Sequence, residues 1–142
     1  MRRPGHPNVG QSNTFLDRFA VEQTQPVHGA ATLAQVEAWR QAARAVHVDA
    51  KIKRYIVDIV ALTREKHPYV EYGASPRATL ALAYTARAKA LLSDRDFVLP
   101  DDVRAIAPLV LRHRVAFTYK LAVDRADPEE VVGALIASVK AP

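Results

Sequence analysis

A small all-α helical bundle with at most short β pieces is the fold this sequence predicts, and three observations predict it. Apolar residues recur three or four positions apart in several separate stretches. Helix-start signatures, in which proline or a capping side chain precedes an apolar run, recur along the chain. Only residues 69–72 and 115–119 have β character. With 142 residues, 49% of them hydrophobic, the chain lies in the single-domain range and can fill one core.

Residues 1–31, rich in Pro, Gly, Asn and Gln, read as an irregular N-terminal tail or linker, and residues 32–140 as the helical domain. A first helix opens after Thr32, with Leu33, Val36, Trp39, Ala43 and Val46 forming a stripe expected to be buried and Trp39 as its anchor. A second helix follows Asp49, a good N-cap, and carries Ile52, Ile56, Ile59, Val60 and Thr63 on one side. It is expected to end near His67-Pro68, because proline disfavours helix in the residue before it.

Residues 69–72 read as an extended connector that delivers the chain to Gly73, and the third helix covers about 75–93. After the turn-like Ser93-Asp94-Arg95-Asp96, a short extended piece leads into a fourth helix with Pro100 at its entrance and Asp101 and Asp102 in its first turn. Pro108 is expected to break or bend that helix. Residues 115–119 alternate in strand fashion, and Asp127-Pro128-Glu129-Glu130 opens a last helix carrying Val131, Val132, Leu135, Ile136 and Val139.

Composition removes several function classes. The chain has no cysteine, so disulfides, thiolate metal sites and cysteine nucleophiles are excluded. His6, His28, His47, His67 and His113 stand far apart, and no metal site is assigned to them. No apolar run reaches bilayer-spanning length and the first residues lack the apolar stretch of a signal peptide, so a cytoplasmic location without membrane partners is expected. The net charge of +5 is scattered, its densest patches being Lys51-Ile52-Lys53-Arg54 and Arg112-His113-Arg114. A solvated helix face accounts for the first, which leaves a basic nucleic-acid-binding bundle as a minor alternative. The sequence contains no phosphate-binding glycine loop, dinucleotide turn, zinc-protease helix or nucleophile elbow. No catalytic residue is therefore assigned within this chain alone, and Asp101 and Asp102 are read as structural.

One motif points to an anion. In Gly73-Ala74-Ser75-Pro76-Arg77, Gly73 supplies backbone freedom, Ser75 has an N-capping side chain and Pro76 fits the first helical position. Arg77 then stands in the first helical turn, where backbone donors and the helix dipole already favour a phosphate.

The run from Tyr72 to Ala78, then Arg95-Asp96-Phe97-Val98-Leu99-Pro100-Asp101-Asp102-Val103 and Leu111-Arg112-His113-Arg114-Val115, resembles the C-terminal helical lid of MoxR-type AAA+ ATPases. Val46-His47-Val48 before the Tyr55-Ile56-Val57 helix and the helix from Asp127 fit the same pattern, so that the resemblance covers about residues 25–140. It implies a lid packed beside a nucleotide-binding α/β core, in a ring whose subunits share ATP sites. Arg77 falls on the sensor 2 position, supported at the helix N-terminus by Gly73, Ala74, Ser75 and Pro76.

Leu16-Asp17-Arg18-Phe19 resembles the end of the ATPase core, which makes Arg18 a candidate trans arginine finger and residues 1–31 a candidate core remnant. The segment between Ala20 and Gln25 is shorter than the family pattern. The core's phosphate loop and acidic magnesium-holding strand are absent from the sequence, so ATP and Mg²⁺ are expected only where a core is supplied, and hydrolysis by this chain alone is not expected. Expected partners are an AAA+ core or ring subunits and a client or adaptor protein. The alternative reading is a stand-alone helical protein-interaction module, which predicts an exposed apolar face.

Overall fold

The computed structural model describes residues 10, 12, 13 and 29–142. The chain divides into two units, Met1–Thr32 and Leu33–Pro142. In the first, Gly10, Ser12 and Asn13 have helical backbone. The second runs in the order α1 (Leu33–Ala45), α2 (Ala50–Leu62), β1 (Val70–Tyr72), α3 (Pro76–Leu91), α4 (Pro100–Leu111), β2 (Ala116–Phe117), α5 (Tyr119–Val123) and α6 (Pro128–Ser138). It is a mainly α bundle with one small sheet of two strands.

Helix α1 starts where the sequence places it, but of the expected stripe only Val46, just past the helix end, is buried. Leu33 is 90% exposed and Trp39 56%, and no residue of α1 is buried. Within the second unit the helix packs chiefly on α3, with Val36 and Ala43 half-buried while Leu33 and Trp39 stay exposed. Val46 and Val48, just past its end, are the first core residues.

Asp49 caps α2 as expected, its carboxylate accepting the Lys51 amide hydrogen at 2.8 Å. Ile52, Tyr55, Ile56, Ile59 and Val60 form its buried face. The helix ends at Leu62, five residues before His67. Thr63 is C-cap, and the Arg64 and Glu65 amides donate to Ala61 and Leu62 in tight three-residue turns, so proline is not the terminator.

The two β-prone stretches pair with each other. Strands β1 and β2 run antiparallel, Val70 opposite Phe117 and Tyr72 opposite Ala116, with an irregularity between. The Thr118 amide donates to the Tyr69 carbonyl at 3.0 Å and its hydroxyl to the Pro68 carbonyl at 2.9 Å. Tyr119 does not continue the strand; it begins α5.

Ala78, Leu82, Ala86 and Ala90 repeat every fourth residue on α3 and are sealed from solvent, a seam of mostly small side chains. The helix closes through Asp94, in the left-handed region at φ 53°, with the Arg95 amide donating to the Ala90 carbonyl and the Asp94 amide to that of Leu91. This pair of hydrogen bonds is the Schellman arrangement with aspartate in the position glycine usually takes. Pro108 lies inside α4 and does not break it: the helix reaches Leu111, and the Arg112 amide donates to the Pro108 carbonyl at 3.1 Å. The last helix is capped by Asp127, which accepts the Glu129 amide hydrogen at 2.8 Å. Val131, Val132 and Ile136 close the core.

Candidate functional site

The entrance to α3 is built by the end of α2. Thr63 is buried, and its hydroxyl donates to the Val60 carbonyl at 2.7 Å while accepting the Ala74 amide hydrogen at 2.9 Å. Arg64 completes the grip, its Nε donating to the Ala74 carbonyl at 2.8 Å. The peptide groups flanking Ala74 are thus held from both sides, and Ala74 itself is fully buried.

Gly73 is required here, for a different reason from the one its sequence context suggests. No glycine among the described residues has positive φ. A side chain at residue 73 would instead overlap the Thr63 carbonyl oxygen and stand 2.7 Å from Arg64 Cα. Close backbone approach of the two segments, and not conformational freedom, fixes the residue type.

Ser75 occupies the N-cap position with extended backbone, but its hydroxyl makes no capping bond. Its carbonyl accepts the Ala78 amide hydrogen at 2.8 Å, and Pro76 fits the first helical position, where a missing N–H costs nothing. Arg77 follows, exposed, and among the described residues its side chain has no hydrogen bond and no ion pair. The first turn of α3 carries no carboxylate. The structure therefore brings Gly73, Ala74, Ser75, Pro76 and Arg77 together at one helix end. Thr63 and Arg64, which sequence reasoning did not assign to this end, hold it in place. Their signal was slight: Thr63 reads as one more member of the buried stripe of α2.

Of the two adjacent carboxylates at the start of α4, Asp102 has a structural task. Asp102 receives both guanidinium arms of Arg95, at 2.6 and 2.7 Å, and the Leu99 amide hydrogen at 2.8 Å. Arg95 holds its carboxyl below the usual aspartate range, the Leu99 bond adding to this and burial opposing it. Asp101 stays at the surface, 3.9 Å from Arg104. Among the described residues no cluster of three His, Cys, Asp or Glu is placed to hold a metal ion, and no helix is long and apolar enough to cross a membrane. Arg18 lies outside the described residues.

Comparison with known proteins bears on this same stretch. Residues 62–134 match the AAA lid domain family. The uncharacterized protein YeaC of Bacillus subtilis is 42% identical over 97 residues, which is 68% of this chain and 30% of that protein. Chaperone MoxR1 of Mycobacterium tuberculosis is 38% identical over 96 residues, 62% of this chain and 26% of that protein. The chain thus spans less than a third of the curated relatives it matches. A crystal structure from Cytophaga hutchinsonii, of a protein to which ATPase activity is ascribed, shares the fold with a TM-score of 0.78 at 22% identity, over 98% of this chain and 45% of that one. Because the matched residues make up just over half of the chain and include Thr63, Gly73, Arg77 and the Arg95–Asp102 pair, the chain belongs to the AAA lid domain family, and its kinship runs to the lid region of MoxR proteins.

Proposed function

We propose that residues 33–142 work as the lid of a MoxR-type AAA+ ATPase, and that Arg77 senses the phosphate of a nucleotide held by an α/β core. The observation that carries this reading is an exposed, unpaired guanidinium on the second residue of a helix whose entrance is pinned by Thr63, Arg64 and Gly73. A cation at the positive end of a helix dipole is unfavourable by itself, by about 0.3–1 kcal/mol. An anion arriving there relieves the dipole and the guanidinium together, and the planar fork of arginine matches phosphate oxygens.

The core supplies what these residues lack, so ATP and Mg²⁺ belong to the assembled ATPase and none is assigned to the lid alone. Its partners on this reading are the core, neighbouring ring subunits and a client protein, the last carried over from the chaperone name of the Mycobacterium relative. Arg18 remains the candidate finger toward a neighbour's nucleotide. A nucleotide-dependent lid works where ATP is, so a cytoplasmic location goes with the reading.

The test joins the chain to a MoxR-type core, in cis or in trans, and measures ATP turnover. The chain alone shows none above background. In the joined protein Arg77→Ala slows turnover by about 10²–10³-fold, as for loss of other oriented donors to a transition state. Arg77→Lys restores only part, because lysine keeps the charge and loses the fork. Unchanged turnover in Arg77→Ala rejects the sensor assignment, and a collapsed melting temperature assigns Arg77 to the fold instead.

A further inference from the structure

A second cationic feature lies away from the α3 entrance. Between α1 and α3 the surface opens into a cleft of about 700 Å³ lined by Arg40, Ala43, Arg44, Tyr84 and Arg87. Arg40 and Arg44 are one helical turn apart on α1, and Tyr84 and Arg87 nearly so on α3, so each pair points to the same side of its helix. Among the described residues no carboxylate lines the cleft. The nearest acidic group on α1, Glu37, reaches Arg40 only at 3.9 Å, with both side chains largely in solvent.

Arg87 is the telling member. It is half-buried, its Nε is shielded from solvent, and among the described residues that atom has no acceptor. Buried donors in folded proteins are nearly always bonded, and one left open calls for an explanation. A guanidinium held half-buried, with two more lining the same cleft and no carboxylate among the described lining residues, is short of an anionic acceptor. The cleft volume falls in the range of small-molecule sites and exceeds what one small ion fills. Tyr84, 59% exposed, adds a flat aromatic surface.

We propose that this cleft binds a small molecule carrying at least two linked phosphoryl groups. Arg44 and Arg87 each present a fork to one phosphoryl group, as planar guanidinium pairs with phosphate oxygens do, and Arg40 closes the open side. The site is separate from the one proposed around Arg77. Arg87 lies ten positions after Arg77 on α3, about 15 Å along the helix axis.

The probe is inorganic pyrophosphate, titrated calorimetrically into the full chain in magnesium-free buffer at physiological salt. One saturable site per chain is expected, with inorganic phosphate binding at least tenfold more weakly. Arg44→Gln, at an exposed position, and Arg87→Met, which keeps the length and packing of the stem, each weaken pyrophosphate at least tenfold. Arg77→Ala leaves it unchanged. Should Arg87→Met fail to fold by circular dichroism, Arg44→Gln and Arg40→Gln carry the test. Absence of a saturable site, or wild-type affinity in the cleft variants, overturns the proposal. Equal weakening by Arg77→Ala moves the anion to the α3 entrance and also overturns it. An oligoglutamate peptide that binds while pyrophosphate does not makes the cleft a protein-docking surface, which overturns it as well.

Discussion

Asp102 shows, at the level of one side chain, why two adjacent carboxylates at the start of α4 do different things. Asp101 looks outward, whereas Asp102, 4% exposed, turns inward, ties the Arg95 loop to the helix and accepts the Leu99 amide hydrogen. Because its carboxyl is held below the ordinary value of 3.8, its contribution is complete above that value and is lost as pH falls through the lowered folded value. Asp102→Ala should cost about 1.5–3 kcal/mol at neutral pH, the range for hydrogen bonds to a charged group. In urea titrations the gap between variant and parent should narrow below about pH 4, as the parent loses its carboxylate. A constant gap down to strong acid would separate the cost from the ionised pair. Gly73 gives a second residue-level expectation. Gly73→Ala must push apart the Thr63–Arg64 backbone, and the expected loss is about 1–3 kcal/mol, read as a lower urea midpoint.

Elements differ in how deeply they are anchored, and α1 against α3 is the sharpest contrast. Trp39 on α1 stands largely in solvent, whereas Leu82 on α3 is fully buried. Leu82→Ala should therefore cost about 2–5 kcal/mol and Trp39→Ala well under 1 kcal/mol, reversing the order that side-chain size suggests. Denaturation of the two variants side by side checks this, and a Trp39→Ala loss as large as that of Leu82→Ala would contradict the placement of α1.

The same contrast marks what was legible in the sequence. Helix starts are local events, so Asp49, Pro76, Pro100 and Asp127 announced theirs correctly. The early end of α2 depends on Thr63 reaching residue 74, and the β1–β2 pairing joins residues more than forty positions apart; neither leaves a local trace. Periodicity marked the apolar side of α1, but only the limited packing of that helix reveals that Trp39 stays exposed. At the candidate site, the five residues from Gly73 to Arg77 were readable as a helix entrance, whereas the Thr63 and Arg64 clamp was not.

At the scale of the whole chain, the charge of +5 is scattered along the sequence and not gathered into one run. Arg54 pairs with Asp58, Arg95 with Asp102 and Arg112 with Glu129, so several of the cations that a nucleic acid would need are already engaged. The chain should bind DNA only non-specifically at physiological salt, with a dissociation constant of about 10⁻⁴–10⁻⁶ M that weakens steeply as salt rises. Fluorescence anisotropy across a salt series measures this, and tight sequence-selective binding would reinstate the basic-bundle alternative.

The alanine seam of α3 has a mechanical corollary. An alanine has no side-chain torsion to rotate, so where Ala78, Ala86 and Ala90 meet the rest of the bundle there is little slack in which a small displacement can dissipate. A tug on the Arg77 end is passed along the rod, some 24 Å over its sixteen residues, to the turn locked by Arg95 and Asp102. Such a rod is expected to tilt as one piece, so that a pull on the near end reaches the far turn.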